Sequence, residues 1–197
     1  MLEQHLLLAF MWIVFCVLHS VLADSHFKKS IATRSPRFFK NYRFYYTLFA
    51  FVSLGLVIYY QLQLTSPLLF SDLLIITIIG SVMTLVGGGI MLICIKKYFL
   101  SLSGLKSLVA EQVVANELRI DGIHRYVRHP LYLGTFIFIW GLFFLFPYWS
   151  LLIADIVITS YTLYAIRLEE RKLVDEFGDA YLTYKEQVPM ILPGRKV

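Results

Sequence analysis

Apolar residues gather in this chain into long, nearly unbroken runs, without the alternation of a half-buried strand or the polar stripe of a surface helix. Crossing a bilayer core takes about 20 consecutive apolar residues, with a working range of roughly 17–25. Three runs meet that length, at 6–23, 44–64 and 73–95. Two shorter runs follow at 131–146 and 149–166, joined by little more than Pro147-Tyr148. So short a connection predicts an antiparallel helical hairpin. Helices apolar on every side belong in a membrane or a large core. The pattern predicts an all-α, polytopic membrane bundle of about five transmembrane helices with a C-terminal helical hairpin. No repeat or low-complexity linker interrupts it, so a single domain is expected over residues 1–197.

The polar segments also have structure to predict. Residues 96–130 mix apolar and polar positions, with 108–114 open to helix or strand and a turn at Asp121-Gly122. Beyond Ile166 the last long helix is expected to continue through Glu169 to Phe177, with Gly178 just past its end. Asp179 suits the cap of a short helix running to about Gln187, before Pro189 and Pro193.

Composition agrees with a membrane setting. The chain of 197 residues is 58% hydrophobic and 16% charged, against about 45–50% and about 25% in soluble domains. Its formal charge of +5 would suit nucleic acid, but the placement of that charge points elsewhere. All 18 Lys and Arg fall within 28–43, 96–128 and 167–196, and the alternate connections carry none. Basic residues concentrate in cytoplasmic loops. Five spans with the N-terminus outside and the C-terminus in the cytoplasm are therefore expected, with membrane lipids rather than nucleic acid as the partner. The opening Met1-Leu2-Glu3-Gln4-His5 lacks the positive region of a secretory signal, so the first run is expected to be a retained span. Cys16 and Cys94 each stand alone in an apolar run, which suits small buried hydrophobes and supports neither a metal site nor a disulfide.

Candidate chemistry collects at the cytoplasmic ends of the hairpin. At 1.5 Å per residue the outgoing arm rises about 24 Å and the return from Trp149 to Glu170 about 33 Å. Arg128, His129 and Tyr132 should then neighbour Glu169 and Glu170. Cations opposite carboxylates, above an apolar bundle, suit a zwitterionic ligand with a hydrophobic or aromatic part. Arg or His can hold a carboxylate, and Glu an ammonium or ribose hydroxyls. Tyr126, Tyr132, Tyr181 and Tyr184 can stack on a ring or flank a sulfonium. Taken singly, these residues read as interface anchors, an aromatic belt and a solvated acidic face. Asp155 lies deeper in its span, where an acid is a functional candidate, but about four turns from Glu170 a structural role suits it better.

The combination carries a resemblance. Arg128-His129-Pro130-Leu131-Tyr132, a helical hairpin, Glu169-Glu170, and Phe177-Gly178 with Tyr181 and Tyr184 resemble the isoprenylcysteine carboxyl methyltransferase superfamily of integral membrane methyltransferases. Tyr126-Val127, Ala165-Ile166-Arg167, Val188-Pro189-Met190, His19-Ser20 and Tyr42-Arg43 look closest to its bacterial methanethiol S-methyltransferase and nurim-like branch. Where that branch has Phe-Gly-Leu, this chain reads Ser103-Gly104-Leu105.

The resemblance implies a bacterial inner-membrane enzyme with S-adenosylmethionine, and no metal, in a pocket on the cytoplasmic side. His129, Tyr132, Gly134, Glu169, Glu170, Tyr181 and Tyr184 would bind that cofactor. Arg128 and Arg167 would face the methyl acceptor, a small thiol or a lipid-like molecule. Gly87-Gly88-Gly89 resembles a glycine motif of related phospholipid methyltransferases, although small residues also let membrane helices pack closely. Two other readings are open: a non-enzymatic nurim-like membrane protein, and a nicotinamide-dependent membrane reductase, which would normally be much larger.

Overall fold

The computed structural model describes residues 1–71, 73–102, 118 and 120–194. Its helices are α1 (Leu2–Ala23), α2 (Ser25–Arg34), α3 (Pro36–Lys40), α4 (Tyr42–Gln63), α5 (Leu74–Leu102), α6 (Pro130–Leu145), α7 (Trp149–Phe177) and α8 (Asp179–Gln187), with a 3-10 turn at Gly122–Arg125. The predicted all-α class is observed. α1, α4, α7 and residues Leu74–Lys96 of α5 are long and apolar enough to cross a membrane. α6 is a shorter apolar helix, whose 16 residues reach about 24 Å at 1.5 Å per residue. Large apolar side chains such as Leu62, Phe51, Leu74 and Leu85 are more than two-thirds exposed. That inside-out distribution is what a lipid solvent permits and water does not.

The chain divides into two compact units. One contains Met1–Leu69 and Tyr148–Ile158. Here α1 and α4 run antiparallel around Leu8, Trp12, Val57 and Ala154. Polar side chains tie the pair at both ends. Trp12 Nε1 donates to Gln61 Oε1 at 2.8 Å, Tyr42 donates to the Leu22 carbonyl at 2.7 Å, and the Tyr46 hydroxyl meets the His19 ring at 2.8 Å. Ser66 Oγ bridges His5 Nε2 at 3.0 Å and the Ser150 amide at 2.9 Å. Asp155 is buried, and its Oδ2 has no hydrogen-bond partner among the described residues.

Among the described residues, the other unit takes in those within 70–96, 118–147 and 159–194. Its α5 and α6 cross closely at glycines seven apart on each helix. A Cβ on Gly80 would lie 3.0 Å from the Gly141 carbonyl, and one on Gly87 would lie 2.7 Å from the Gly134 carbonyl and 2.4 Å from the Phe138 nitrogen. Only hydrogen side chains allow such an approach. Trp140 Nε1 donates to Thr159 Oγ1 at 3.1 Å, linking α6 to α7.

Sequence and structure differ in places. The stretch between the first two spans reads as a loop but forms α2 and α3, with Pro36 in the first turn of α3, a position proline tolerates. α7 runs to Phe177 as expected. The cap of α8, however, is Gly178, at φ 55°, with Asp179 already inside the helix. That left-handed conformation favours glycine. Gly122 is likewise at φ 61° in the expected Asp121 turn. Residues 108–114 and Ser103-Gly104-Leu105 lie outside the described residues.

Candidate functional site

Four pieces of one unit converge at the start of α6: the 3-10 turn, His129-Pro130, the end of α7, and α8 with the segment after it. Pro130 starts α6. The two residues before it escape the helix, and their amides bond the C-terminal segment. The Arg128 amide donates to the Pro189 carbonyl at 2.9 Å and the His129 amide to the Met190 carbonyl at 3.1 Å. Tyr184 adds a third tie, donating to the His124 carbonyl at 2.7 Å. Beneath them Val127, Leu133, Ile166 and Ile191 form an apolar floor.

Glu170 is the hub. Its Oε1 accepts from Arg128 Nε at 2.7 Å and Nη2 at 2.6 Å, and from His129 Nε2 at 3.2 Å. Its Oε2 lies 3.3 Å from Lys185 Nζ. Burial alone would raise the pKa of this carboxyl, but the hydrogen bonds and charge of Arg128, with help from Lys185 and His129, hold it below its usual value. An ionised carboxylate only accepts hydrogen bonds, so His129 Nε2 carries its proton. Arg128 Nη1 reaches the carbonyls of Lys185, at 3.0 Å, and Val188. Four of the roughly five N–H donors of a guanidinium are thus engaged within the protein, and Arg128 is 7% exposed.

Glu169 is different. Successive residues on an α-helix are about 100° apart, so Glu169 turns away from the hub. Its side chain is 46% exposed. Its Oε2 accepts from the Tyr132 hydroxyl at 3.1 Å and lies 3.9 Å from His129 Nδ1. The His129 and Tyr132 rings stack at 5.7 Å. Glu170 also borders an open cleft of about 340 Å³, lined by Arg167, Glu170, Arg171, Val174, Asp175 and Lys185.

Tyr181 is 1% exposed, and its hydroxyl has no hydrogen-bond partner among the described residues. Burial, and next the negative charge of Glu170, raise its pKa well above that of a free tyrosine. Gly134 is buried against Ile90 and Gly87 of α5. Of the glycine triplet, Gly87 is at the tight crossing, a Cβ on Gly88 would meet only the Phe138 ring, and nothing lies within 4 Å of a Cβ on Gly89.

The expected residues are therefore brought together, but in unequal roles. Arg128, His129 and Glu170 form a closed buried network, and Tyr132 with Glu169 forms an open edge. Arg167 borders the cleft. Sequence reasoning missed Lys185 and the backbone carbonyls of residues 185–190. A lysine beside a tyrosine in a basic tail carries no signal of its own, and carbonyls carry none in any sequence.

The apolar helices and this ion-paired hairpin mouth define a polytopic helical membrane protein with a polar site where α6 begins and α7 ends. The description of the phospholipid methyltransferase family matches residues 73–180, and the chain belongs to that family of membrane methyltransferases. It is similar to a methanethiol S-methyltransferase of Crocosphaera subtropica, 31% identical over 193 residues, covering 93% of this chain and 73% of that one. Methanethiol S-methyltransferase 1 of Bradyrhizobium diazoefficiens is 35% identical over 91 residues, covering 45% of this chain and 30% of its own. The protein-S-isoprenylcysteine O-methyltransferase of Schizosaccharomyces pombe is 40% identical over 74 residues, covering 37% of this chain and 31% of its own. The chain thus aligns with less than a third of two of these relatives' lengths. No solved structure gives a significant match.

Proposed function

We propose that this chain is an S-adenosylmethionine-dependent methyltransferase acting on a small thiol or a lipid-like acceptor at the cytoplasmic face of a bacterial inner membrane. In this reading the N-terminus is outside and the C-terminus in the cytoplasm. The observation that carries the proposal is the split of the glutamate pair, with Glu170 buried in a saturated ion network and Glu169 held exposed beside Tyr132.

The residues present fit such a cofactor. A half-exposed carboxylate can receive an ammonium or ribose hydroxyls, and the stacked His129 and Tyr132 rings can flank a purine or a sulfonium. The Tyr181 hydroxyl is buried against the same network, with no hydrogen-bond partner among the described residues. Glu169, Tyr132 and His129 would hold the cofactor, with Glu170, Tyr181, Tyr184 and Gly134 fixing the walls around them. S-adenosylmethionine, when bound, supplies an electrophilic methyl carbon on a sulfonium.

The protein's own contribution is alignment, which can remove a large part of a bimolecular barrier. Arg128 holds Glu170 and the C-terminal segment in register, and so fixes His129 and Tyr132. Arg167, exposed in the cleft, orients the acceptor. A thiol acceptor must ionise, and free thiols sit near pKa ~8.5, so a neighbouring guanidinium favours the thiolate. A carboxylate acceptor would need only orientation. The test is transfer of labelled methyl from S-adenosylmethionine by purified protein to a panel of small thiols, prenylated cysteines and phospholipids. Labelled product with the native chain and none with Glu169→Ala supports the proposal. No product from any acceptor would count against it and favour a non-enzymatic role.

A further inference from the structure

The segment between α1 and α4 takes no part in the site described above, yet it has the most one-sided charge in the molecule. Lys28, Lys29, Arg34, Arg37, Lys40 and Arg43 follow one another closely, and no Asp or Glu occurs from residue 25 to residue 71. Lys29, Arg34, Arg37, Lys40 and Arg43 are exposed and form no ion pair among the described residues. Aromatic side chains share the segment: Phe27, Phe38, Phe39 and Tyr45 are all more than one-third exposed. Phe38 lies flat on Tyr45, with ring centroids 5.1 Å apart.

The chain order puts this segment directly between two helices long and apolar enough to cross a membrane. α1 ends at Ala23 and α4 begins at Tyr42, and both helices have bilayer length. The connection is wound into α2 and α3, which keeps its charges near the ends of the spans. Self-repulsion among unpaired cations would otherwise disfavour packing them so densely. Anionic lipid headgroups attract juxtamembrane basic clusters within a Debye length, about 8 Å at physiological ionic strength. Aromatic rings favour the same interfacial depth.

We propose that α2 and α3 form a binding surface for anionic phospholipid headgroups, with the exposed phenylalanines seated among the lipids and the five unpaired cations on the phosphates. This does not depend on the methyltransferase reading.

The test uses Phe38→Trp in the full chain, reconstituted into vesicles carrying either brominated phosphatidylglycerol or brominated phosphatidylcholine. The signal is the fluorescence added over that of the native chain. Enrichment of anionic lipid should make the glycerol lipid quench on the order of threefold more efficiently at low salt. The excess should fall as salt is raised, and vanish when Arg34→Gln, Arg37→Gln, Lys40→Gln and Arg43→Gln are added. Equal quenching by the two lipids at low salt would overturn the proposal. So would a preference that neither salt nor the four substitutions reduces. Absence of quenching by either lipid would overturn it too, and would put a second copy or another partner on the surface. The salt titration of Phe38→Trp alone decides the matter if the multiple variant fails to fold.

Discussion

Arg128 and Glu170, 42 residues apart in the chain, meet through two guanidinium nitrogens on one carboxylate oxygen, at 2.7 and 2.6 Å, with both side chains less than one-tenth exposed. Removing one member of a buried pair leaves the other charged and uncompensated, which typically costs about 3–5 kcal/mol. Glu170→Ala should therefore lower stability by that order, seen as a fall in thermal midpoint in detergent. Glu169→Ala, on the exposed edge, should cost less than about 1 kcal/mol.

The same pair sets a pH dependence. The folded-state pKa of Glu170 is held below its ordinary value, so this group's contribution is fully present above the unfolded carboxyl pKa, about 4.3. It is lost as pH falls through the lower folded value. Native protein should lose stability across that acid window more steeply than Glu170→Gln, measured by thermal unfolding at a series of pH values. Parallel curves would mean that Glu170 does not titrate as the hub.

The glycine pairs make a contrast within one helix. A Cβ at Gly87 would fall 2.4 Å from a backbone nitrogen of α6, whereas one at Gly89 would meet nothing within 4 Å. Gly87→Ala should destabilise by about 1–3 kcal/mol through overpacking. Gly89→Ala should change stability by less than about 1 kcal/mol. If Gly89→Ala instead abolished cofactor binding with the fold intact, the glycine triplet would have a ligand role beyond packing.

Much of this arrangement is legible in the sequence because the membrane simplifies it. Long apolar runs give the spans, and a connection as short as Pro147-Tyr148 turns α6 back into α7, so Arg128 and Glu170 have to meet near one end. What the sequence does not reveal is how two adjacent glutamates divide their work. That depends on the rotation of α7 against α6 and α8, fixed by Ile166 in the apolar floor and by carbonyls at residues 185, 188, 189 and 190. Helices α2 and α3 escape notice because their dense positive charge reads as loop, and their apolar residues are too few to show a period.

Arg167 borders the cleft without joining the ion network. Arg167→Ala should leave stability and S-adenosylmethionine affinity near native values while raising the acceptor KM about tenfold or more, the loss of a charge-assisted hydrogen bond of about 1.5–3 kcal/mol. Steady-state kinetics with the best acceptor from the panel measures this. An unchanged KM would remove Arg167 from the acceptor site.

The most direct measurement is isothermal titration calorimetry of S-adenosylmethionine into the detergent-solubilised chain, beside Glu169→Ala, Tyr132→Phe and the double variant Glu169→Ala/His129→Ala. Saturable binding to the native protein is expected. Affinity should be weakened several-fold by Tyr132→Phe and lost in the double variant, with thermal unfolding showing that each protein remains folded. Binding that is absent from the native chain, or that survives the double variant unchanged, would contradict the proposed cofactor site.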